Sequence, residues 1–188
     1  MPELNGFSLV GGTALALRYG HRTSVDLDLF CEEKFKHQLI IDALAREFGI
    51  SFTYEGDNSP IGIFCFIENI KVDLIHYPHP VIHQGEVTEN LKIYSSEDIA
   101  AMKLSAILGR GKKKDFWDVD ELLHHFSAEE IIEFYYQKFP NQILLISMPQ
   151  ALTYFADAEE SETPVSLKGQ TWENVKAHIQ EKVREYLQ

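Results

Sequence analysis

Two glycines and two aspartates in the N-terminal segment constrain the fold of this chain more than any other feature. Gly11 and Gly12 interrupt an apolar run and precede a short helical segment. Within residues 24–30, apolar side chains alternate with Asp26 and Asp28, which is the period of two that is typical of a β-strand. This order of glycine turn, helix and strand predicts a mixed fold in which the aspartates lie close behind the turn.

The other patterns predict an α+β fold. We expect a small mixed β-sheet core flanked by helices in residues 1–80, followed by a mainly helical region in residues 81–188 that completes a cleft. Apolar spacing, capping residues and glycine or proline breaks predict helices at residues 13–19, 34–48, 96–108, 114–126, 128–139, 144–156 and 172–187. The same signals predict strands at residues 24–30, 50–54, 61–68 and 70–77, the last two joined as a hairpin around Glu68 and Asn69.

Composition narrows the class of protein. The 188 residues carry a net charge of -12, which argues against general nucleic-acid binding because phosphate backbones would be repelled. A nucleotide can still bind if cations neutralise its phosphates. We expect neither a signal peptide nor a membrane span, and the two separated cysteines suit a reducing, cytoplasmic setting. Among the eight histidines, two groups show no recognisable metal spacing and are expected at the surface or in loops: His124 with His125, and His76 with His79 and His83.

Asp26 and Asp28 are candidate metal ligands. Residues two apart on a strand share a face, and two neighbouring carboxylates repel each other unless a cation lies between them. Oxygen ligands suit Mg²⁺. Asp73 interrupts an apolar strand and offers a third carboxylate, enough for a two-metal site. For the aspartate pair taken alone, a strand face exposed to water is the stronger alternative.

The glycine turn is a candidate phosphate-binding element. Gly11, Gly12 and Thr13 stand at a predicted helix start, where free N–H groups attract phosphate. Arg22 and Ser24 lie just before the predicted strand and are candidates for contacts with phosphate oxygens. A tight turn without a ligand is the alternative.

The quoted motifs resemble one known family. The run from Val10 to Leu15, followed by residues 22–30, is similar to the AbiEii-type nucleotidyltransferase toxins, relatives of the MenT toxins in the DNA polymerase β-like superfamily. Residues 101–106 and 110–118 resemble the helical half of that family, so the resemblance covers roughly residues 6–125.

The resemblance implies a role for each matching residue. Gly11, Gly12 and Thr13 would form the phosphate-binding turn, whereas many superfamily members have Gly-Ser there. The residues implied to be metal-binding and catalytic are Asp26, Asp28 and Asp73; Lys103 would contact the triphosphate, and Asp115 or Asp118 would complete the site.

The residues of the helical half support part of this assignment. Lys103 interrupts an apolar helix, and Arg110 lies seven residues later on the same face. Asp115 and Asp118 are neighbours on the next helix. The alternative is a solvated face with salt bridges such as Lys114–Asp118.

These patterns predict a metal-dependent nucleotidyltransferase that moves a nucleotide from an NTP to a tRNA or protein acceptor, with Mg²⁺ as cofactor. The resemblance also implies the toxin of a toxin–antitoxin or abortive-infection system, with a cognate antitoxin. Two alternatives stay open. One is a small-molecule nucleotidyltransferase of the aminoglycoside-modifying kind, which the acidic charge favours. The other is a non-catalytic nucleotide-binding or interaction module.

Overall fold

The fold is built on one mixed sheet with helices on both faces. The computed structural model describes residues 1–56, 59–88 and 91–188. Its strands are Ser8–Val10 (β1), Leu27–Cys31 (β2), Phe52–Tyr54 (β3), Gly62–Ile67 (β4), Ile70–His76 (β5), Glu86–Thr88 (β6) and Leu91–Ile93 (β7). Its α-helices are Gly11–Tyr19 (α1), His37–Phe48 (α2), Ser96–Gly109 (α3), Lys113–Leu122 (α4), Ala128–Lys138 (α5), Met148–Thr153 (α6) and Trp172–Tyr186 (α7).

The sheet has the strand order β3-β4-β5-β2-β1-β7-β6. β2 runs parallel to β5, and β1 runs parallel to β7, while the other neighbours are antiparallel. The predicted α+β class with a mainly helical C-terminal half is therefore confirmed. Within the described residues, no helix is both long enough and apolar enough to span a membrane.

Two apolar cores lie on the two sides of the sheet. On one side, α2 packs Ile40 and Leu44 against Val72 and Leu74 of β5. On the other side, α1 and the helices of the C-terminal half form the larger core. Because side chains alternate along a strand, Asp73 points away from the α2 side and toward the helical half. The acidic face of the sheet thus lies where the helices close over it.

Several predicted elements are confirmed. The hairpin turns at Glu68 and Asn69, whose positive φ angles of 50° and 65° are typical of a tight two-residue turn. α3 begins at Ser96 as predicted, where Ser95 caps the helix by accepting a hydrogen bond from the backbone N–H of Asp98. α1 ends at Gly20 in the left-handed conformation.

Other boundaries differ from the prediction. The strand expected at residues 24–30 begins at Leu27, because the preceding segment pairs elsewhere: the N–H of Thr23 donates to the carbonyl of Val165, and the N–H of Leu167 donates to that of His21. β1, which directly precedes the glycine turn, was not predicted as a strand. The short strands β6 and β7 were not predicted either. They carry little alternation, and they extend the sheet from the segment after residue 80. The division into regions 1–80 and 81–188 stays a prediction.

Candidate active site

The pairing of β2 with β5 brings two of the predicted carboxylates together. Asp28 and Asp73 are direct neighbours in the parallel register. Both line a cleft of about 410 Å³ between the sheet and α3. Asp26 lies outside β2 in the preceding loop, where its side chain is exposed. The prediction that Asp26 and Asp28 share the face of one strand is therefore wrong: Asp28 pairs with Asp73 of the neighbouring strand, and Asp26 lies in the loop before β2.

The electrostatics of this pair suit a cation. Burial, together with the charge of Asp73, raises the pKa of Asp28 above its usual value. Lys71 forms an ion pair with one oxygen of Asp73, and the other oxygen, Oδ1, is buried without a hydrogen-bond partner among the described residues. Two adjacent carboxylates with an unsatisfied buried oxygen form a donor set that fits Mg²⁺, which prefers oxygen ligands.

The glycine turn lies against this carboxylate pair. Gly11 starts α1 with a φ of 72°, a left-handed conformation that disfavours other residues. A Cβ atom at Gly11 would lie 2.6 Å from Oδ2 of Asp28. A Cβ at Gly12 would collide with the guanidinium of Arg22. Both positions require glycine because side chains of the site occupy the space beside them.

Thr13 and Ser24 hold the loop that carries Asp26. The hydroxyl of Thr13 donates to the carbonyl oxygen of Asp26 and lies 2.8 Å from the hydroxyl of Ser24. Thr13 is buried. In this structure these hydroxyls connect the start of α1 to the loop before β2.

A buried network of ion pairs joins the loop that follows α1 to helices α3 and α4. Asp118 is fully buried and accepts hydrogen bonds from Nε of Arg22 at 2.7 Å and from Nη2 at 2.9 Å. Nζ of Lys103 lies 2.6 Å from Asp118 and 3.2 Å from Asp115. Nε2 of His21 lies 2.8 Å from Asp118. Asp118 thus has four contacts with three side chains, and the alternative pairing Lys114–Asp118 does not occur.

The pKa shifts follow from this arrangement. Burial by itself disfavours the charged form of Asp118, but Lys103, His21 and Arg22 outweigh it and hold its pKa far below the usual range. Burial likewise lowers the pKa of Lys103, but Asp118 and Asp115 outweigh it, so the net pKa is raised. Asp118 and Lys103 are therefore both charged at neutral pH.

Arg110, which lines the cleft, and Lys114, which lies near it, add positive charge to this region. Arg110 donates two hydrogen bonds to Asp115, at 2.9 and 3.0 Å, while about half of its side chain stays exposed. Lys114 is half-buried and forms no hydrogen bond or ion pair with any described residue. Burial, with Arg110 and Lys103 nearby, lowers its pKa. Lys113, in contrast, is buried and donates to the carbonyls of Glu159 and Ser161.

The cleft therefore has two electrostatic sides. On the helical side, the three cations Arg22, Lys103 and Arg110 meet the two carboxylates of Asp115 and Asp118, which leaves one net positive charge before Lys114 is counted. The sheet side is acidic. An anionic substrate that carries bound metal ions fits between two such surfaces.

The structure brings nearly all of the predicted residues to one region, but in unequal positions. Gly11, Asp28, Asp73 and Lys103 line the cleft itself. The predicted nucleotide-binding residues Thr13, Arg22 and Asp118 are buried and bonded to protein groups. Sequence analysis missed His21, which lies in a loop and is fully buried. Its one signal in the sequence is its position next to Arg22.

Comparisons with known proteins agree with this fold. A family model described as "Nucleotidyl transferase AbiEii toxin, Type IV TA system" matches residues 2–185. An uncharacterized protein of Aquifex aeolicus (strain VF5) is 35% identical over 193 residues, covering 98% of this chain and 89% of that protein.

Two solved structures share the fold. A protein of H. pylori is 18% identical with a TM-score of 0.60, and the match covers 99% of this chain and 92% of that one. MenT4, a nucleotidyltransferase toxin from Mycobacterium tuberculosis H37Rv, is 12% identical with a TM-score of 0.63, covering 95% of this chain and 74% of that one.

Proposed function

This chain belongs to the AbiEii family of nucleotidyl transferase toxins, and from that premise we propose that its cleft moves a nucleotide from an NTP to a tRNA or protein acceptor with the help of Mg²⁺. The observation that carries the proposal is the register of β2 and β5. It places Asp28 beside Asp73, opposite Lys103 and next to the glycine turn.

The residues divide into groups by position. Asp28 and Asp73, joined by Asp26 from its loop, would hold one or two metal ions. When bound, Mg²⁺ supplies positive charge that stabilises the phosphates in the transition state. Lys103 and Arg110 line the opposite side of the cleft and would bind the triphosphate. Asp115 orients both cations through its two oxygens.

The glycine turn would receive phosphate oxygens. Gly11 and Gly12 open α1, a helix of nine residues whose first N–H groups lack partners within the helix. Thr13 and Ser24 hold the Asp26 loop against this turn, and Arg22 and Asp118 hold that loop against α4. We assign a positioning role, without contact with the nucleotide, to Thr13, Ser24, Arg22 and Asp118.

The experiment is label transfer from each NTP in turn, carrying α-³²P, to total RNA and to cell lysate in the presence of Mg²⁺. We expect label on one of these fractions with wild type and a loss of at least about 100-fold with Asp28→Asn or Asp73→Asn, a size typical of removing one electrostatic group from an active site. Glu47→Gln, an exposed acid on α2, is the matched control and should keep wild-type transfer. Equal transfer by Asp28→Asn and wild type would contradict the proposal.

Binding measurements separate a catalyst from a non-catalytic module. Calorimetry with NTP and Mg²⁺ should show binding by the same preparation that transfers label. NTP binding with no transfer to any fraction would instead favour a nucleotide-binding module that retained the fold.

An RNA acceptor is favoured by the charge at the mouth of the cleft. Arg110 lines the cleft, Lys114 is near enough to oppose the rise in the pKa of Asp28, and Lys112 is exposed between them in the sequence, although the whole chain is acidic. The phosphates of RNA are attracted to these basic residues, whereas a cationic aminoglycoside would be repelled by them. Label on tRNA that is lost in a Lys112→Glu/Lys114→Glu variant would support this choice. Label on an aminoglycoside in a drug panel would oppose it.

We also propose the toxin role, with a cognate antitoxin as partner. Induced expression of wild type should arrest growth of a host cell, and expression of Asp28→Asn at the same level should not. Growth arrest by both proteins would separate toxicity from nucleotide transfer.

A further inference from the structure

Three side chains outside the cleft form a second cluster of metal-ligating groups. Asp120 and His124 come from α4 and the turn that follows it, and His178 comes from α7. One ligand atom from each residue lies within 4.8 Å of the other two. Within residues 1–56, 59–88 and 91–188, this is the one such group found. The sequence did not predict it, because His178 is far from the other two.

The cluster is separate from the nucleotide cleft. Two residues along an α-helix are rotated by about 200°, so Asp118 and Asp120 project from opposite sides of α4. Asp118 contacts Arg22 and Lys103, while Asp120 faces α7. The two sites therefore share a helix but no ligand.

The position of Asp120 calls for a cation. Its side chain is nearly fully buried, at 3% exposure of the residue. Its Oδ1 lies 2.7 Å from Nδ1 of His178, and Oδ2 has no hydrogen bond from any described residue. A buried carboxylate is stable when it is paired with a cation or coordinates a metal.

The two imidazoles lie side by side next to Asp120. His124 follows Asp120 by four residues, so both project from one side of the helix and its last turn. The rings of His124 and His178 stack with centroids 4.4 Å apart and an angle of 16°. Imidazole nitrogens are common ligands of transition metals, so both rings are placed to bind the same ion.

We propose that Asp120, His124 and His178 bind one Zn²⁺-like divalent transition-metal ion that joins α4 to α7. Two imidazole nitrogens and one carboxylate oxygen form a known donor set for Zn²⁺, with water in the fourth position. His124 is exposed and borders a groove of about 510 Å³, through which the ion and its water have access. Mg²⁺ prefers oxygen ligands, so this site and the acidic cleft select different ions.

The consequence is a metal link within the helical half. α7 packs Val175, Ile179 and Val183 into the larger core, and His178 is adjacent to that buried stripe. The ion would hold α7 against α4, the helix that carries Asp115 and Asp118. Because Asp115 and Asp118 of α4 hold Lys103 and Arg110, which line the cleft, the bound metal would stabilise the cationic side of the nucleotide site.

The test uses the full chain without a histidine tag, stripped with a chelator and kept in excess Mg²⁺ so that oxygen-rich sites are occupied. Calorimetric titration with Zn²⁺ should give one equivalent per chain, and Co²⁺ should give the visible absorption of a tetrahedral site. Zn²⁺ should also raise the melting temperature. No binding of either metal by wild type would overturn the proposal and leave Asp120–His178 as an ion pair.

Variants locate the site. His124→Ala should keep the fold, because His124 is exposed, and should weaken Zn²⁺ binding at least about 10-fold, since even residues that only orient metal ligands have effects of that size. His125→Ala is the matched control, adjacent in sequence and equally exposed, and should bind like wild type. Asp28→Asn/Asp73→Asn should also bind Zn²⁺ like wild type. Loss of binding in that cleft variant, or unchanged binding in His124→Ala with an intact circular dichroism spectrum, would refute the assignment.

Discussion

Replacing Asp118 by asparagine tests whether this residue supports the site from within or contacts the nucleotide. In the structure Asp118 is fully buried, and its two oxygens contact Arg22, Lys103 and His21. The substitution keeps the shape and one carbonyl acceptor but removes the negative charge. Arg22 then loses its bidentate partner, and Lys103 keeps only Asp115.

The size of the effect follows from burial. Removing one partner of a buried ion pair costs about 3–5 kcal/mol, because the remaining charge is left without compensation. The retained amide oxygen places Asp118→Asn near the lower end, at about 3 kcal/mol. For a chain of this length, each kcal/mol lowers the melting temperature by about 2–4 °C, so we expect a decrease of about 6–12 °C.

Thermal unfolding and urea unfolding of the same preparations measure this change. Asp42→Asn is the matched control. Asp42 is exposed on α2, and among the described residues it is hydrogen-bonded to Gln38 alone, so the change should alter the free energy of unfolding by less than about 0.5 kcal/mol. In a double-mutant cycle with Arg22→Met, the two costs should be less than additive, because both changes break one pair.

One outcome would refute this reasoning. If Asp118→Asn melts within about 1 °C of wild type yet loses NTP binding, Asp118 contacts the nucleotide directly, and its burial in the network is not the source of its importance.

Three further predictions follow from the structure. Gly11→Ala should abolish label transfer, because the added methyl group would collide with Asp28 and the φ of Gly11 is left-handed. Gly20 is also left-handed but has open space around it, so Gly20→Ala should lower the free energy of unfolding by only about 1–2 kcal/mol and keep transfer. Lys138→Met should lower the free energy of unfolding by about 3–5 kcal/mol in urea titrations, because it leaves the buried carboxylate of Asp98 without its cation; a change below about 1 kcal/mol would contradict this. Chelation with EDTA should stop label transfer and added Mg²⁺ should restore it, so transfer at the wild-type rate in EDTA would exclude metal dependence.

Local signals in the sequence were sufficient for most of the secondary structure. The hairpin at Glu68 and Asn69, the Ser95 cap and the helix that ends at Gly20 are each encoded by neighbouring residues. Such elements depend on backbone preferences and caps within a few positions. β6 and β7 escaped prediction because three-residue exposed strands have no pattern of their own and form by pairing with a distant strand.

The sequence predicted most of the residues of the candidate site but not their arrangement. Asp28, Asp73, Gly11 and Lys103 were singled out from the sequence and line one cleft. The sequence placed Asp26 on the same strand as Asp28, but the loop before β2 pairs with residues 165–167 instead. That pairing joins positions more than 140 residues apart, which no local pattern can encode.

By itself, the sequence determined most of the elements that form and the chemical groups that they carry: a glycine turn, strands with aspartates, and an apolar helix with one lysine, in a fixed order. Only the tertiary structure decided the neighbours. The register of β2 and β5 places Asp28 beside Asp73. The packing of α4 places Asp118 in contact with Arg22, 96 positions away in the sequence, and Asp120 in contact with His178. The physical reason is that helices and turns form from contacts between residues near in sequence. The partner of a buried charge is instead decided by which elements pack together.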